Sequence, residues 1–231
     1  MKQICVIETG LPPDALVDEF GSYPDMGIDL IKSISPGYDF ACFNALGSKP
    51  LPEPNQYDGY LIMGSEFSVL DDDPWIAKLS EFVRSLANLE IPMIGICFGH
   101  QLIAQALGGI VERRDWIIGQ VKYATTDDPF PTLAYHQDQV IRAPIDGKIV
   151  MTSEACPIAA LEYRSIPAWS IQAHPEFSET YMPELIEQTR HKPLTAYQTD
   201  QALQSLNGFI RDNSAIRASI KRIFPNAPTR P

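Results

Sequence analysis

One cysteine in this chain sits where a nucleophile would. Gly95-Ile96-Cys97-Phe98-Gly99 is Gly-x-Cys-x-Gly, the thiol form of a nucleophile elbow. The short apolar run Ile91 to Ile96 before it reads as a buried strand. Leu102, Ile103, Ala106 and Leu107 after it share the spacing of one helical face, and Gly108-Gly109 supplies a helix stop. A strand that turns abruptly into a helix crowds the residues two before and two after the turn, so a Cβ at either place would clash. The turning residue is left strained and exposed at the helix N-terminus. There the helix dipole and free N–H groups favour thiolate over thiol. Most free cysteines are only small buried hydrophobes. The two glycines, the strand and the helix favour the elbow here.

A nucleophilic thiol needs a base, and the base needs an orienter. His174-Pro175-Glu176 offers both, and alternation along a strand ending at Ala173 puts 174 and 176 on one side. The other histidines are weaker. His100 falls in the first turn after the elbow, too close along the chain to reach the sulfur, and reads as helix packing. His136 lies in Tyr135-His136-Gln137-Asp138, which reads as a polar loop, and is a weaker candidate base. His191 stands between Arg190 and Lys192 and reads as solvated. Attack on a carbonyl also needs an oxyanion hole. The Phe98 N–H is the expected first donor, and Gly64-Ser65, at the end of a neighbouring strand, is the best source of a second. No His/Cys/Asp cluster has metal-ligand spacing and no GxxxxGK[ST] loop occurs, so neither a metal nor another cofactor is expected.

The elements that must carry these residues alternate. Lys2 to Ile7, Tyr38 to Leu46 and Tyr60 to Met63 read as strands, with a loop and a helix between the first two. Residues 47 to 56 read as loop. Asp73-Pro74 is a helix start, with Trp75, Leu79, Phe82, Val83 and Leu86 on one face. Strand and helix alternate through residue 109, the pattern of an α/β fold with a doubly wound, mostly parallel sheet. Gly119 to Thr126, Lys148 to Thr152 and Ile158 to Tyr163 read as short strands of an antiparallel excursion. Pro167 to Gln172 returns to the main sheet. A helix over 180 to 190 follows, then helical stripes at Leu203, Leu206 and Ile210 and at Ile216, Ile220 and Ile223. This tail is expected to pack on the domain, with a docking face for another protein as the alternative. No linker or repeat divides residues 1–231.

The 231 residues suffice for one sizeable domain. A net charge of -11 argues against a nucleic-acid or anionic-membrane surface. No basic leader precedes an apolar run, and no window approaches a membrane span of about 20 residues. Cys5, Cys42, Cys97 and Cys156 are widely spaced, which suggests a reducing, cytoplasmic setting without disulfides.

The elbow through Gln101, the strand-end Gly64 followed by Ser68-Val69-Leu70-Asp71, and Ala173-His174-Pro175-Glu176 together resemble class I (triad) glutamine amidotransferase domains. The likeness runs from about residue 40 to 180. Thr9-Gly10-Leu11-Pro12-Pro13 and Tyr23-Pro24-Asp25-Met26 resemble stand-alone members similar to the glutaminase domain of GMP synthase. The resemblance implies a flavodoxin-like sheet and a γ-glutamyl thioester on the cysteine of a Cys97, His174, Glu176 triad. It implies that Gln101 and the backbone near Tyr135 and His136 hold a glutamine-like substrate, with Ser65 beside them. Many members have Gly-Gly-Pro where this chain has Gly64-Ser65-Glu66, and its Tyr135 replaces the Ser of Ser-His in GMP synthases. The residues after 176 are too few for a synthetase, so an ammonia acceptor, if any, is expected on another chain. A cysteine protease-like relative and a non-catalytic regulatory protein on the same fold are the competing readings; the His-x-Glu pair argues against both.

Overall fold

The computed structural model describes residues 2–47, 49–125 and 129–227. In chain order the elements are β1 (Gln3–Glu8), α1 (Asp14–Phe20), α2 (Tyr23–Ile34), β2 (Asp39–Asn44), β3 (Gly59–Ile62), α3 (Pro74–Asn88), β4 (Met93–Ile96) and α4 (Phe98–Ala106). There follow β5 (Ile110–Ala124), β6 (Pro129–Arg142), β7 (Gly147–Met151), β8 (Ala160–Tyr163), β9 (Ala168–Ile171), α5 (Tyr181–Gln188), α6 (Ala196–Ser205) and α7 (Ser214–Ile223).

The main sheet has the order β2-β1-β3-β4-β9-β8-β7. Its first five strands run parallel, and β8 and β7 add an antiparallel edge. Parallel strands of this kind bury both faces, which is why they read as continuous apolar runs. Ile4 and Val6 of β1 join one cluster with α2 and α7; Cys5 and Ile7 join another with α3 and α4. The sheet is therefore wound on both sides, and the elbow strand β4 lies near its middle, between β3 and β9. β5 and β6 form a separate antiparallel ribbon.

Local chemistry explains most boundaries. Ser22 caps α2 in a capping box with Asp25, and Thr195 caps α6 with Gln198 in the same way. Asp73 occupies the N-cap of α3, with Pro74 at the first helical position, but its side chain makes no cap hydrogen bond. Gly108 leaves α4 at φ 96°, which favours glycine.

The structure departs from the sequence expectations in several places. The segment after β1 holds two helices, because Ser22 starts a second one. The ribbon strands are 15 and 14 residues long, so Tyr135 to Asp138 lie in β6 rather than in a loop. Alternation was hidden there because His136, Asp138 and Gln139 are polar yet buried. The expected strand from Gly119 ends at Ala124, and Thr126 lies outside the described residues. β7 and β8 extend the main sheet instead of joining the excursion. Finally, α6 stops at Ser205, and Ile210 is 80% exposed and outside any helix.

The last helix is not a free face. Ile216 and Ile220 are wholly buried, and Phe224 beyond them fills the space over Gly59, where a Cβ would stand 2.7 Å from its ring. Ser35 donates its hydroxyl to the Phe224 carbonyl, and Tyr38 donates to Pro225 O at 2.7 Å. Burial of the stripe leaves no room for the docking alternative. Phe224→Ala should therefore cost about 3–5 kcal/mol, the usual loss for a buried phenylalanine. Urea unfolding checks it; a loss under about 1 kcal/mol would show that the tail is not part of the core.

Candidate active site

Cys97 makes the strand-to-helix turn at φ 51°, ψ -102°, a strained conformation for a residue with a Cβ. The neighbours on either side show what holds it there. A Cβ on Gly95 would stand 2.5 Å from the Gly99 carbonyl, and one on Gly99 would stand 2.3 Å from Ile62 O. Cys97 N–H donates to Ile171 O of β9 at 2.8 Å, and Gly99 N–H to Met63 O after β3 at 3.2 Å. Both neighbouring strands thus hold the turn. The sulfur is less exposed than an elbow suggests, since Cys97 is 5% exposed and meets solvent only through a cavity. Its Sγ accepts from Gln172 Nε2 at 3.6 Å and lies 3.9 Å from Tyr135 O.

β9 ends beside β4 and delivers His174. Its Nδ1 donates to Glu176 Oε1 at 2.8 Å, with both side chains buried. That bond leaves Nε2 for other chemistry, and Nε2 has no hydrogen-bond partner among the described residues. Burial alone would push the imidazolium towards neutrality; the Glu176 carboxylate first, and the Cys97 sulfur second, outweigh it and raise the pKa. The ring lies flat on Phe177, with centroids 4.1 Å apart and planes at 8°, and Phe177 in turn stacks on Tyr23. The turn after His174 is tied to the tail. Arg211 donates Nη1 to Pro175 O at 3.0 Å and Nη2 to Phe177 O, and Asn213 Nδ2 donates to Pro175 O at 3.4 Å.

Gly64 closes the other side. A Cβ there would stand 3.1 Å from His174 Cε1 and 3.6 Å from Cys97 Cβ, so close approach rather than backbone freedom calls for glycine. Thr9 Oγ1 donates to both Met63 O and Gly64 O at 2.9 Å, which fixes this strand end. Phe98 is the first residue of α4, so its N–H flanks the sulfur at the strand-to-helix turn itself.

Cys97, His174, Glu176, Gly64, Ser65, Gln101, Tyr135 and His136 all line one cavity of about 350 Å³. Their side chains are not equally available to a ligand. Ser65 Oγ donates to Thr9 O at 2.5 Å and accepts from Phe67 N, so it shapes the loop. Gln101 Nε2 donates to Asp138 O at 2.8 Å and Gln172 Oε1 at 3.2 Å. It thereby orders Gln172, which holds the sulfur. His136 Nδ1 lies 3.2 Å from Asp138 O, an acceptor, so Nδ1 carries the hydrogen. Burial, then the positive His174, push its pKa down to about 3. His136 is therefore neutral, with an unprotonated, unpartnered Nε2 among the described residues: it can accept a ligand N–H but is too weak to serve as base. His100 is wholly buried, between Ser170 Oγ and Ile158 O, and burial lowers its pKa to about 4. His191 is exposed.

Sequence reasoning missed several residues around the site. Gln172 stands two before His174, so the same alternation that pairs 174 with 176 could have found it. Asp138, Arg113 and Asp71 form the charged wall. Asp138 takes Arg113 Nε at 3.2 Å and the Ser68 hydroxyl, and Arg113 also approaches Asp71 at 4.0 Å. Phe177 adjoins the His-x-Glu motif; nothing local marks Arg211.

Residues 48–192 match the family model described as glutamine amidotransferase class-I. The chain is 32% identical over 143 residues to the glutamine-hydrolyzing subunit of GMP synthase from Methanothermobacter thermautotrophicus, covering 58% of this chain and 77% of that protein. It is 26% identical over 157 residues to "Gamma-glutamyl peptidase 3" of Arabidopsis thaliana, covering 61% of this chain and 63% of that one. A crystal structure of a glutamine amidotransferase from Thermotoga maritima superposes with a TM-score of 0.72 at 19% identity, over 97% of this chain and 99% of that one, a likeness of fold.

The geometry makes Cys97 the thiol expected to react first with a small electrophile reaching the cavity, because burial pushes the Cys5 and Cys156 thiols up to about 12. At pH 7 iodoacetamide should label Cys97 ahead of these two, and His174→Gln should slow it about tenfold or more. Equal rates in the two proteins would show that the imidazole does not activate the sulfur. The raised His174 pKa also has a sign for stability. Its contribution is fully present below the unfolded value near 6.5 and is lost as pH rises through the folded value. The stability gap between wild type and His174→Gln should therefore narrow from pH 7 to pH 10; a constant gap in urea titrations would refute it.

Proposed function

The chain belongs to the class I glutamine amidotransferase family, and from that premise we propose that it cleaves a γ-glutamyl amide through a thioester on Cys97. The observation that carries this reading is the convergence on one cavity of a strained elbow cysteine and a buried His174–Glu176 pair at 2.8 Å. The thiolate attacks the γ-carbonyl carbon, and the carbonyl electron pair moves to oxygen. N–H groups of Phe98 and Gly64 hold that oxyanion. As it collapses, the C–N bond breaks and the His174 imidazolium gives its proton to the leaving nitrogen. Water then attacks the thioester, His174 takes its proton, and glutamate departs as the thiolate re-forms. Glu176 keeps the imidazole oriented and offsets its charge. His174 Nε2 and Cys97 need only a small movement to meet, as is common before a ligand binds.

The charged wall suits the amino-acid end of such a substrate. Arg113 can take the α-carboxylate, and Asp71 and Asp138 the α-ammonium. The His136 Nε2 acceptor and the Tyr135 carbonyl serve N–H groups nearer the sulfur.

The site residues all come from this chain, which supports turnover without ATP and without a second protein. The archaeal relative is named as one part of a larger synthase, which favours the alternative, a glutaminase that a separate synthetase switches on. Purified protein alone, given glutamine and a γ-glutamyl dipeptide, decides between them; activity only after adding a partner from extract would favour the dormant glutaminase. Cys97→Ala should lose about a thousandfold or more in kcat with the fold kept. His174→Ala should lose more than Glu176→Gln, since the base moves the proton and the carboxylate only orients it. A Cys97→Ala protein that retains most activity would end the assignment.

A further inference from the structure

The cavity over Cys97 has two chemically different ends, set out along the β5–β6 ribbon. In its register Arg113 faces Asp138 and, past a shift, Ile117 faces His136 and Ile118 faces Tyr135. A strand advances about 3.3 Å per residue, so the Arg113–Asp138 and Trp116–Tyr135 pairs stand about 10 Å apart along the ribbon. The first pair, with Asp71, offers both signs of charge. The second is apolar: Trp116 meets Tyr135 edge-on at 5.5 Å, and Leu185 and Pro193 line the same cavity. Cys97 Sγ lies against the Tyr135 carbonyl, beside this second pair. The rim is also apolar, with Leu11 51% and Phe67 38% exposed. Such a rim invites an apolar ligand group.

A γ-glutamyl group carries an ammonium and a carboxylate, and the charged end is where both find partners. Once it is seated there, the scissile nitrogen points towards the apolar end. Ammonia would use nothing at that end, and a cavity of about 350 Å³ is larger than glutamine alone requires. We infer that the leaving group is a bulky apolar amine, such as the amino group of an apolar or aromatic amino acid or peptide, rather than ammonia. This rests on the acyl-transfer reading above and narrows its substrate. The bond broken is the γ-glutamyl C–N bond; the leaving nitrogen takes the His174 proton and departs as a free amine, and water releases glutamate.

The purified chain should be given glutamine, γ-glutamyl-glycine and γ-glutamyl-phenylalanine, with glutamate release measured. The leaving amines of the two dipeptides are similar in basicity, so their ratio reports contact rather than chemistry. The phenylalanine compound should exceed the glycine compound in kcat/KM by about tenfold or more, as burial of an aromatic side chain predicts, and should exceed glutamine too. Trp116→Ala should shrink the phenylalanine-to-glycine ratio severalfold at unchanged thermal midpoint. Turnover of glutamine or the glycine compound as fast as the phenylalanine compound overturns the inference and leaves the acyl-transfer reading intact. A ratio unmoved by Trp116→Ala also overturns it. Silence on all three substrates, with no preferential labelling of Cys97, overturns the acyl-transfer reading itself.

Discussion

The structure depends on one turn: a strand becomes a helix at a residue that keeps its Cβ while sitting at φ 51°. Such a conformation costs on the order of 1–3 kcal/mol and persists only where its surroundings over-determine it. Here they do. Gly95 and Gly99 let the two backbone runs close to contact, Ile171 O and Met63 O take the N–H groups on either side, and β4 lies in the buried middle of a sheet covered on both faces. Relaxing the turn would mean separating β4 from β3 and β9. The strain is thus coupled to the packing of the whole core, and the sulfur is fixed at the head of α4 with the helix N-terminus behind it.

A second constraint follows from burying charge. His174 and Glu176 lie out of water, where an unpaired ion would be costly, so each needs the other. Their geometry is held from three sides: the flat Phe177 ring beneath the imidazole, Gly64 beside Cε1, and Arg211 gripping the carbonyls of Pro175 and Phe177. Arg211 lies in the segment between α6 and α7, well outside the stretch that carries the family likeness. The tail therefore does more than cover the sheet. Ile216, Ile220 and Phe224 fix α7 to the core, and that fixture carries Arg211 and Asn213 to the turn that holds the base.

What could be read in the sequence was what local spacing dictates. The parallel sheet showed as apolar runs because both faces of each strand are buried, and the glycines of the elbow showed because sterics require them at fixed offsets. The ribbon did not show, because β6 buries His136, Asp138 and Gln139, and a polarity pattern cannot reveal a strand whose buried face is polar. Arg211 had no signal for a similar reason. Its partners are backbone carbonyls 34 to 36 residues away, which no side-chain pattern records. Gln101 was legible as a residue near the cavity, but its hydrogen bonds turn inward to Asp138 and Gln172.

Asp138 explains why the ribbon and the elbow act together. Its carbonyl accepts from Gln101 of α4 and from His136, and its carboxylate takes Ser68 from the loop after Gly64 and Arg113 from β5. One residue therefore joins the elbow helix, the strand end beside the sulfur and the wall that presents charge to the cavity. Gln101 extends the connection through Gln172 to Sγ itself. A ligand that draws Arg113 away from Asp138 would change the field on the Ser68 loop and, through it, the strand end at Gly64. The sheet fixes the sulfur and the imidazole, whereas the ribbon determines which molecule meets them, and Asp138 is where the two are tied.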